Sequence, residues 1–190
     1  MIAIVMAGGR ASRFANRVEK AVLDVGGRTL LERSLSALDD SRIEEIMVAV
    51  TKRVPETKKL ARELGASVIE TAGTNYHEDV LQLLEAHSRF LSLNVDVPFI
   101  RSNHLRGLGG DDKSISEALV VPFETSLMKP DEASTLRDSL GRRLVWVGLN
   151  WVTKSEDMHL KIVDDPFLTV NINNESDLAF ARKLAEDYNL

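Results

Sequence analysis

The stretch MAGGRASRF, residues 6–14, follows directly on the apolar run at residues 2–5. Two adjacent glycines and two arginines therefore stand where a first buried strand ends. In a parallel sheet, ligands bind on the loops that follow the carboxyl ends of the strands. Glycines let backbone N–H groups approach a polyphosphate closely, and Arg10 and Arg13 add positive charge. The stretch is typical of a phosphate-binding loop, although a glycine turn with solvated arginines has the same pattern.

Short apolar segments alternate with amphipathic segments along the chain. The pattern predicts strands over 1–6, 43–50, 66–69, 90–95, 118–123 and 144–152. It predicts helices over 29–38, 55–64, 76–86 and 175–187, and a short helix ending near Gly107. This alternation indicates an α/β fold with a doubly wound, mostly parallel sheet in three α/β/α layers. We expect one domain over residues 1–190, with surface loops at 107–116 and 128–143.

Composition excludes several classes of function. The net charge of −5 and the sequence pI near 5.4 argue against nucleic-acid binding. The absence of cysteine excludes disulfides, zinc–thiolate sites and cysteine nucleophiles. Neither a signal peptide nor a transmembrane segment is apparent, so we expect a cytoplasmic protein without membrane insertion.

Two further polar sites follow predicted strands. In LNVDVPF, residues 93–99, Asp96 stands on the same sheet edge as the glycine loop. A carboxylate beside bound phosphates is a natural Mg²⁺ ligand, whereas the plainer interpretation is a cap of the next helix. In VNINNESDL, residues 170–178, Asn171 and Asn173 precede a helix that Asn174 caps, with Asp177 at the reciprocal position. The side-chain amides of Asn171 and Asn173 either bind a ligand or only form hydrogen bonds within the turn.

Together these motifs resemble the nucleoside-triphosphate transferase family of MobA-like proteins. The opening M-A-G-G-x-x-x-R is followed seven residues later by Lys20, then by a D-x-P turn at Asp96 and by N-I-N-x-x-x-D-L over 171–178. Members of that family have a Rossmann-like fold and transfer a nucleoside monophosphate from an NTP to a phosphorylated acceptor, releasing pyrophosphate. Ala11 and Ala21 depart from the family pattern, in which glycine and proline are usual.

The resemblance implies roles for particular residues. Arg13, Lys20 and Asp96 would be catalytic, and Asp96 would also bind Mg²⁺. The nucleotide would lie against the opening loop, the lysine and a turn after the third strand: Ala7, Gly8, Gly9, Arg10, Ser12, Arg13, Lys20, Thr71, Ala72 and Gly73. Guanine presents a donor edge at N1 and N2, so its pocket needs backbone carbonyls or a carboxylate, and our hypothesis is that this turn supplies them.

Within the family, the chain resembles the archaeal guanylyltransferases that act on a corrinoid, adenosylcobinamide phosphate. The segments that carry this resemblance are VEK at 18–20, TAGTNYHEDV at 71–80, GLNWVTKS at 148–155 and NINNESDLAFARKLAED at 171–187. It implies GTP and a corrinoid phosphate as substrates, with Gly148, Asn150 and Asn173 on the acceptor side. Trp146 and Trp151 are interpreted as core or rim packing.

Other interpretations stay open. A molybdopterin guanylyltransferase would share the glycine loop, Lys20 and Asp96, and a cytidylyltransferase of isoprenoid synthesis fits less well. A non-catalytic nucleotide sensor is the alternative of a different class. A P-loop kinase using Lys113 of GLGGDDKS, residues 107–114, is disfavoured because Asp112 replaces the second glycine. A homodimer is compatible with the sequence.

Overall fold

The computed structural model describes residues 1–9, 14, 18–40, 42–110, 114–127 and 134–190. Its strands are β1 (Ile2–Met6), β2 (Asp24–Val25), β3 (Arg28–Thr29), β4 (Glu45–Val50), β5 (Ser67–Glu70), β6 (Arg89–Asn94), β7 (Ser116–Pro122), β8 (Thr135–Arg137), β9 (Arg143–Thr153) and β10 (Met158–Ile162). Its α-helices are α1 (Leu30–Ala37), α2 (Pro55–Glu63), α3 (Tyr76–Ala86) and α4 (Glu175–Tyr188). Short 3₁₀ turns cover Lys20–Val22, Ser102–Leu105, Phe123–Thr125 and Pro166–Thr169.

The described part of the chain forms an eight-stranded sheet in the order β10-β7-β9-β6-β1-β4-β5, with β8 paired to β9. Strands β4 and β6 both run parallel to β1, so that Val5 lies opposite Val48 on one side and Leu93 on the other. Strand β9 runs antiparallel to β6 and β7. The predicted doubly wound, mostly parallel sheet is confirmed, and β2 and β3 form a separate small hairpin.

Two helical layers cover the sheet, because β1 is apolar on both faces. Ile4 and Val5 point to opposite faces, and both are 0% exposed. On one face, α1, α2 and α4 bury Leu31, Ala61 and Ala181 against the strands. On the other face, α3 packs Leu83 in the smaller cluster around Ile4. The three-layer α/β/α arrangement is therefore confirmed.

The structure contains strands that the sequence pattern did not predict. Strand β10 pairs in parallel with β7, but its sequence MHLKI is short and only half apolar. Strand β8 lies inside the segment expected to be a loop over 128–143, of which residues 128–133 fall outside the described part. Both strands depend on pairing with distant strands, which local periodicity does not record.

The parallel strands bring four loops to one edge of the sheet. The N–H of Ala7 donates to the carbonyl of Ala49 over 2.9 Å, and the N–H of Val95 donates to the carbonyl of Met6 over 3.3 Å. The N–H of Thr71 donates to the carbonyl of Val50 over 2.9 Å. The loops after β1, β4, β5 and β6 therefore begin side by side. Among the described residues, no helix is both long and apolar enough to cross a bilayer.

Replacing Thr29 by alanine should lower the free energy of unfolding by about 1 kcal/mol, the usual value of an N-cap. Thr29 Oγ1 accepts from the N–H of Glu32 over 3.2 Å, and Glu32 Oε2 accepts from the N–H of Thr29 over 2.7 Å. Urea denaturation measures the change, with Ser36→Ala at an exposed position of the same helix as the control. Equal stability of Thr29→Ala and Ser36→Ala would contradict this description of the cap.

Candidate active site at the sheet edge

Lys20 is held at the sheet edge by a closed ring of polar side chains. Its Nζ donates to Asp96 Oδ2 over 2.9 Å and to Asn173 Oδ1 over 2.8 Å. Asn171 completes the ring, because its Nδ2 lies 3.3 Å from Asp96 Oδ1 and its Oδ1 accepts from Asn173 Nδ2 over 2.8 Å. The Lys20 and Asp96 side chains are 13% and 20% exposed, so the ion pair is only partly screened by water.

Backbone contacts fix where the carboxylate and the asparagines point. The N–H of Ile172 donates to the carbonyl of Asp96 over 2.9 Å, which joins the asparagine turn to the end of β6. Asp177 Oδ2 accepts from the N–H of Asn173 over 2.8 Å. The predicted capping of α4 by Asn174 and Asp177 is confirmed. The side chain of Asp96 bonds with Lys20 and Asn171, where the plainer interpretation had it capping the next helix.

The carboxylate of Asp96 suits a hard divalent cation. The amide atom that faces it is the donor Nδ2 of Asn171, whereas the amide oxygens of Asn171 and Asn173 accept from Asn173 Nδ2 and Lys20 Nζ. Across the ranges that the structure describes, no group of three or more His, Asp or Glu side chains is placed to hold a metal. One carboxylate fits the way in which Mg²⁺ is usually bound, through one or two carboxylates and the phosphate oxygens of a substrate.

Thr51 joins the glycine loop to the turn after β5. It is 3% exposed, and its Oγ1 donates to the carbonyl of Gly8 over 3.1 Å. A Cβ added at Gly8 would lie 2.7 Å from the Thr51 methyl carbon, and one added at Gly73 would lie 2.5 Å from it. Both glycines are therefore needed for the close approach. Of the other residues predicted in the loop, Ala7 is 2% exposed, whereas Arg10, Ser12 and Arg13 lie outside the described residues.

The turn at residues 71–73 is anchored to α3. The N–H of Ala72 donates to Gln82 Oε1 over 3.0 Å, and the N–H of Gly73 donates to Asp79 Oδ1 over 2.8 Å. In a trans peptide unit the carbonyl points opposite to the N–H, so the carbonyls of Thr71 and Ala72 point away from α3. Two neighbouring acceptors thus lie on the side of the turn away from α3, while the carbonyl of Gly73 accepts from Arg53 Nη1 over 3.1 Å.

A cavity of about 330 Å³ lies beside this edge, on the face of the sheet that carries α3. It is lined by polar and aromatic side chains from α3 and from strands β6, β7, β9 and β10, among them Tyr76, Asn94, Trp146, Asn150 and Trp151. Gly148 and Asn150, both expected on the acceptor side, line it. Asn173, expected there with them, lies in the Lys20 ring and is not among the lining residues.

The polar wall of the cavity is tightly packed. Gly148 has φ +86°, and a Cβ there would lie 2.8 Å from Asn94 Nδ2, so the strand bends closely around Asn94. Among the described residues, the buried Oδ1 of Asn94 has no hydrogen-bond partner. Burial raises the pKa of the Tyr76 hydroxyl against the opposing hydrogen bonds of Ser92 and Asn150, and the charge of Asp96 raises it further.

Some residues of this edge were not predicted as site residues. Thr51 directly follows β4, and the rule that identified Gly8 and Asp96 would have identified it as well. Asp79 and Gln82 belong to a helix whose pattern gives no sign that the side chains reach back to a turn. Their role becomes visible only when α3 is placed against β5.

Comparisons with known proteins show the family of the chain. The family model described as MobA-like NTP transferase domain matches residues 3–130. An adenosylcobinamide-phosphate guanylyltransferase from Methanocaldococcus jannaschii is 26% identical over 97% of this chain and 97% of that protein. A 2-C-methyl-D-erythritol 4-phosphate cytidylyltransferase from Thermus thermophilus is 37% identical over 67% of this chain and 58% of that protein.

Solved structures share the fold across nearly the whole chain. The CMP:2-keto-3-deoxy-manno-octonic acid synthetase complexed with CTP superposes with a TM-score of 0.74 at 16% identity, covering 98% of this chain and 99% of that one. A nucleotidyl transferase from Methanothermobacter superposes with a TM-score of 0.67 at 18% identity, covering 98% of each chain.

Gly8→Ala should displace Thr51 and lower the melting temperature, because the new Cβ would meet a stiff, buried methyl group. Gly9→Ala is the matched control, since none of the residues that the structure describes has an atom within 4 Å of a Cβ at that position. Thr51→Ser removes the methyl group but keeps the hydroxyl, and should rescue Gly8→Ala in thermal unfolding. Equal melting temperatures for Gly8→Ala and Gly9→Ala would refute the contact.

Proposed function

The chain belongs to the MobA-like NTP transferase family and is a nucleotidyltransferase, and on that premise we propose that it transfers GMP from GTP to adenosylcobinamide phosphate. The products are adenosylcobinamide-GDP and pyrophosphate, a step of cobalamin biosynthesis. The observation that carries the proposal is the Lys20–Asp96 pair between two asparagines on the ligand-binding edge. We further propose that residues 1–190 act as one domain.

The proposed reaction is an in-line displacement at the α-phosphorus of the NTP. An oxygen of the acceptor's phosphate forms a bond to that phosphorus, and the bond to the β-phosphate bridging oxygen breaks. The electron pair leaves on pyrophosphate. The acceptor phosphate is already an anion at neutral pH, so the step needs no general base. The protein contributes positioning and neutralisation of charge.

Lys20 and Asp96 would both help to neutralise the negative charge of the phosphates, Lys20 directly and Asp96 through a bound cation. The ammonium of Lys20, with Arg13, would bind the phosphate oxygens, and the ring of Asp96, Asn171 and Asn173 would hold that ammonium in place. Nucleotidyltransferases of this superfamily generally use a divalent metal with the NTP, and we propose Mg²⁺ with Asp96 as its protein ligand. The cation, when bound, neutralises charge on the phosphates. The backbone at Ala7, Gly8 and Gly9 would line the phosphates.

The turn at 71–73 supports guanine as the base. Guanine presents two adjacent donors, N1–H and the N2 amino group, whereas cytosine and adenine each present a donor next to an acceptor. Two carbonyls that point the same way, from Thr71 and Ala72, match the guanine edge. The cytidylyltransferase relative makes CTP the second candidate nucleotide.

The cavity at Gly148 and Asn150 supports an acceptor with both polar and flat apolar parts. Trp146 and Tyr76 offer aromatic surface, and Asn150 and Ser116 offer polar groups. The cavity would receive the arm of the corrinoid that bears the phosphate, and Met158, 51% exposed on the rim, would face the larger apolar part. A cytoplasmic location and a homodimer stay predictions.

Pyrophosphate release from GTP, CTP, UTP and ATP, with and without adenosylcobinamide phosphate, tests the proposal. We expect release only with GTP, Mg²⁺ and the corrinoid together, with the GDP-linked product identified by mass. Pyrophosphate release with GTP and molybdopterin would mean that molybdopterin, and not the corrinoid, is the acceptor. Release with CTP and a methylerythritol phosphate would mean that both proposed substrates are wrong. GTP binding without turnover on any acceptor would favour a nucleotide sensor.

Lys20→Ala and Asp96→Ala should each lower kcat by at least about 100-fold, because each removes charge stabilisation from the transition state. The fold should be kept, as judged by circular dichroism. Lys59→Ala is the matched control, since the Lys59 side chain is 70% exposed and pairs within α2, with Glu63 over 3.8 Å, and its loss should leave kcat unchanged. Near-normal Mg²⁺-dependent turnover of Asp96→Ala would overturn the assignment of Asp96.

Asp79→Ala should lower the preference for GTP over CTP by about tenfold, because the 71–73 turn loses the anchor at Gly73. The ratio of kcat/KM values for the two nucleotides is the measurement. Asp79→Asn keeps an acceptor oxygen and should keep the preference, and Glu78→Ala, at the exposed neighbouring position, serves as a control. An unchanged ratio of kcat/KM values in Asp79→Ala would contradict a role of the turn in recognising the base.

A further inference from the structure

The residue before Lys20 is bound to the start of a helix. Glu19 Oε1 accepts from the N–H of Glu56 over 3.0 Å, and its Oε2 accepts from the N–H and from the hydroxyl of Thr57, both over 2.6 Å. The carboxylate therefore binds the first turn of α2 with both oxygens. The partner is well fixed, since Thr57 is 0% exposed.

Helix α2 has no cap of its own. Its N-cap position is Val54, whose side chain makes no capping hydrogen bond, and Pro55 follows at the first helical position. The free N–H groups and the positive end of the helix dipole favour a carboxylate there. Glu19 supplies that carboxylate from a position 37 residues earlier than Glu56. The capping group of α2 thus comes from the segment that carries Lys20.

Regular structure in that segment is limited to a β-bridge at Glu19 and one short turn. The N–H of Val22 donates to the carbonyl of Glu19 over 3.3 Å, and the N–H of Leu23 donates to the carbonyl of Lys20 over 3.0 Å, which makes a single turn. Ala21, 1% exposed, anchors the segment in the core on the far side of Lys20. On the near side, the partly buried Val18 packs against the core, and the Glu19 carboxylate binds the start of α2.

We propose that Glu19 is a positioning residue for Lys20: its bond to the start of α2 sets the backbone from which the Lys20 ammonium reaches Asp96 and Asn173. The inference rests on the proposed function of Lys20. It assigns Glu19 a role in turnover, although its side chain points to α2 and not to the ring. Displacing the ammonium by about 1 Å can cost up to about 100-fold in rate.

The reactivity of the Lys20 amine reports its position without relying on activity. In the protein as it stands, Nζ lies in two hydrogen bonds and the side chain is 13% exposed, so acylation by an N-hydroxysuccinimide ester should be slow. In Glu19→Gln, an amide NH₂ group takes the place of one carboxylate oxygen and faces a backbone N–H donor of α2, so one hydrogen bond is lost. We expect Lys20 to be labelled several-fold faster in Glu19→Gln, measured by peptide mass spectrometry.

Thr29→Ala is the control for a loss of helix capping elsewhere, because it removes the cap of α1 and leaves the bonds between Glu19 and α2 in place. We expect kcat in Glu19→Gln to fall at least about tenfold, with Thr29→Ala close to the parent protein. In a Lys20→Ala background, Glu19→Gln should change kcat no further, since the residue acts through Lys20. Thr57→Val removes only the hydroxyl bond and should give a smaller change, and it is the test variant if Glu19→Gln fails to fold.

Equal labelling and equal kcat in Glu19→Gln and Thr29→Ala would overturn the inference and leave Glu19 as a simple cap. A further fall of kcat in the Lys20→Ala background would also overturn it. If the parent protein releases no pyrophosphate with any NTP and acceptor, the proposed function fails. The labelling of Lys20 then still decides whether Glu19 sets its position.

Discussion

One ammonium group determines how the sheet edge is assembled. The Nζ of Lys20 lies between Asp96 Oδ2 and Asn173 Oδ1 in a site where it is only slightly exposed. The shielded ammonium needs both oxygens. Without Asp96 its charge would be unpaired, and without Asn173 one of its N–H groups would lack an acceptor. Three segments that are far apart in the sequence, after β1, after β6 and before α4, must therefore meet at one point.

The parallel strands make that meeting possible, and small contacts refine it. Strand β1 pairs with β4 and β6, so the loops after all three start at the same level. Thr51 donates a hydrogen bond to Gly8, and its methyl group lies close to both Gly8 and Gly73. The glycine loop and the turn after β5 therefore pack against the same side chain. The phosphate, base and metal functions proposed for this edge each depend on a neighbouring loop for their position.

Much of this arrangement could be predicted from local pattern. The apolar strand before Gly8 and the cap at Asn174 have sequence signatures, because each depends on neighbours within a few residues. Asp96 could be placed on the ligand-binding edge because it follows β6, but its partners Lys20 and Asn171 are distant in the sequence. Strand β10 and the bond between Gln82 and the 71–73 turn have none, since they form only when distant segments pack together. The cavity beside Gly148 likewise depends on the pairing of β6 with β9.

The central claim is that Asp96 and its ring receive the phosphates of the nucleotide together with a divalent cation. Calorimetric titration of GTP, with and without Mg²⁺, into the parent protein and into Asp96→Asn tests it most directly. We expect Mg²⁺ to strengthen GTP binding at least about tenfold in the parent protein, because the cation would be held jointly by a carboxylate and phosphates, and to have little effect in Asp96→Asn. An equal effect of Mg²⁺ on both proteins would contradict it.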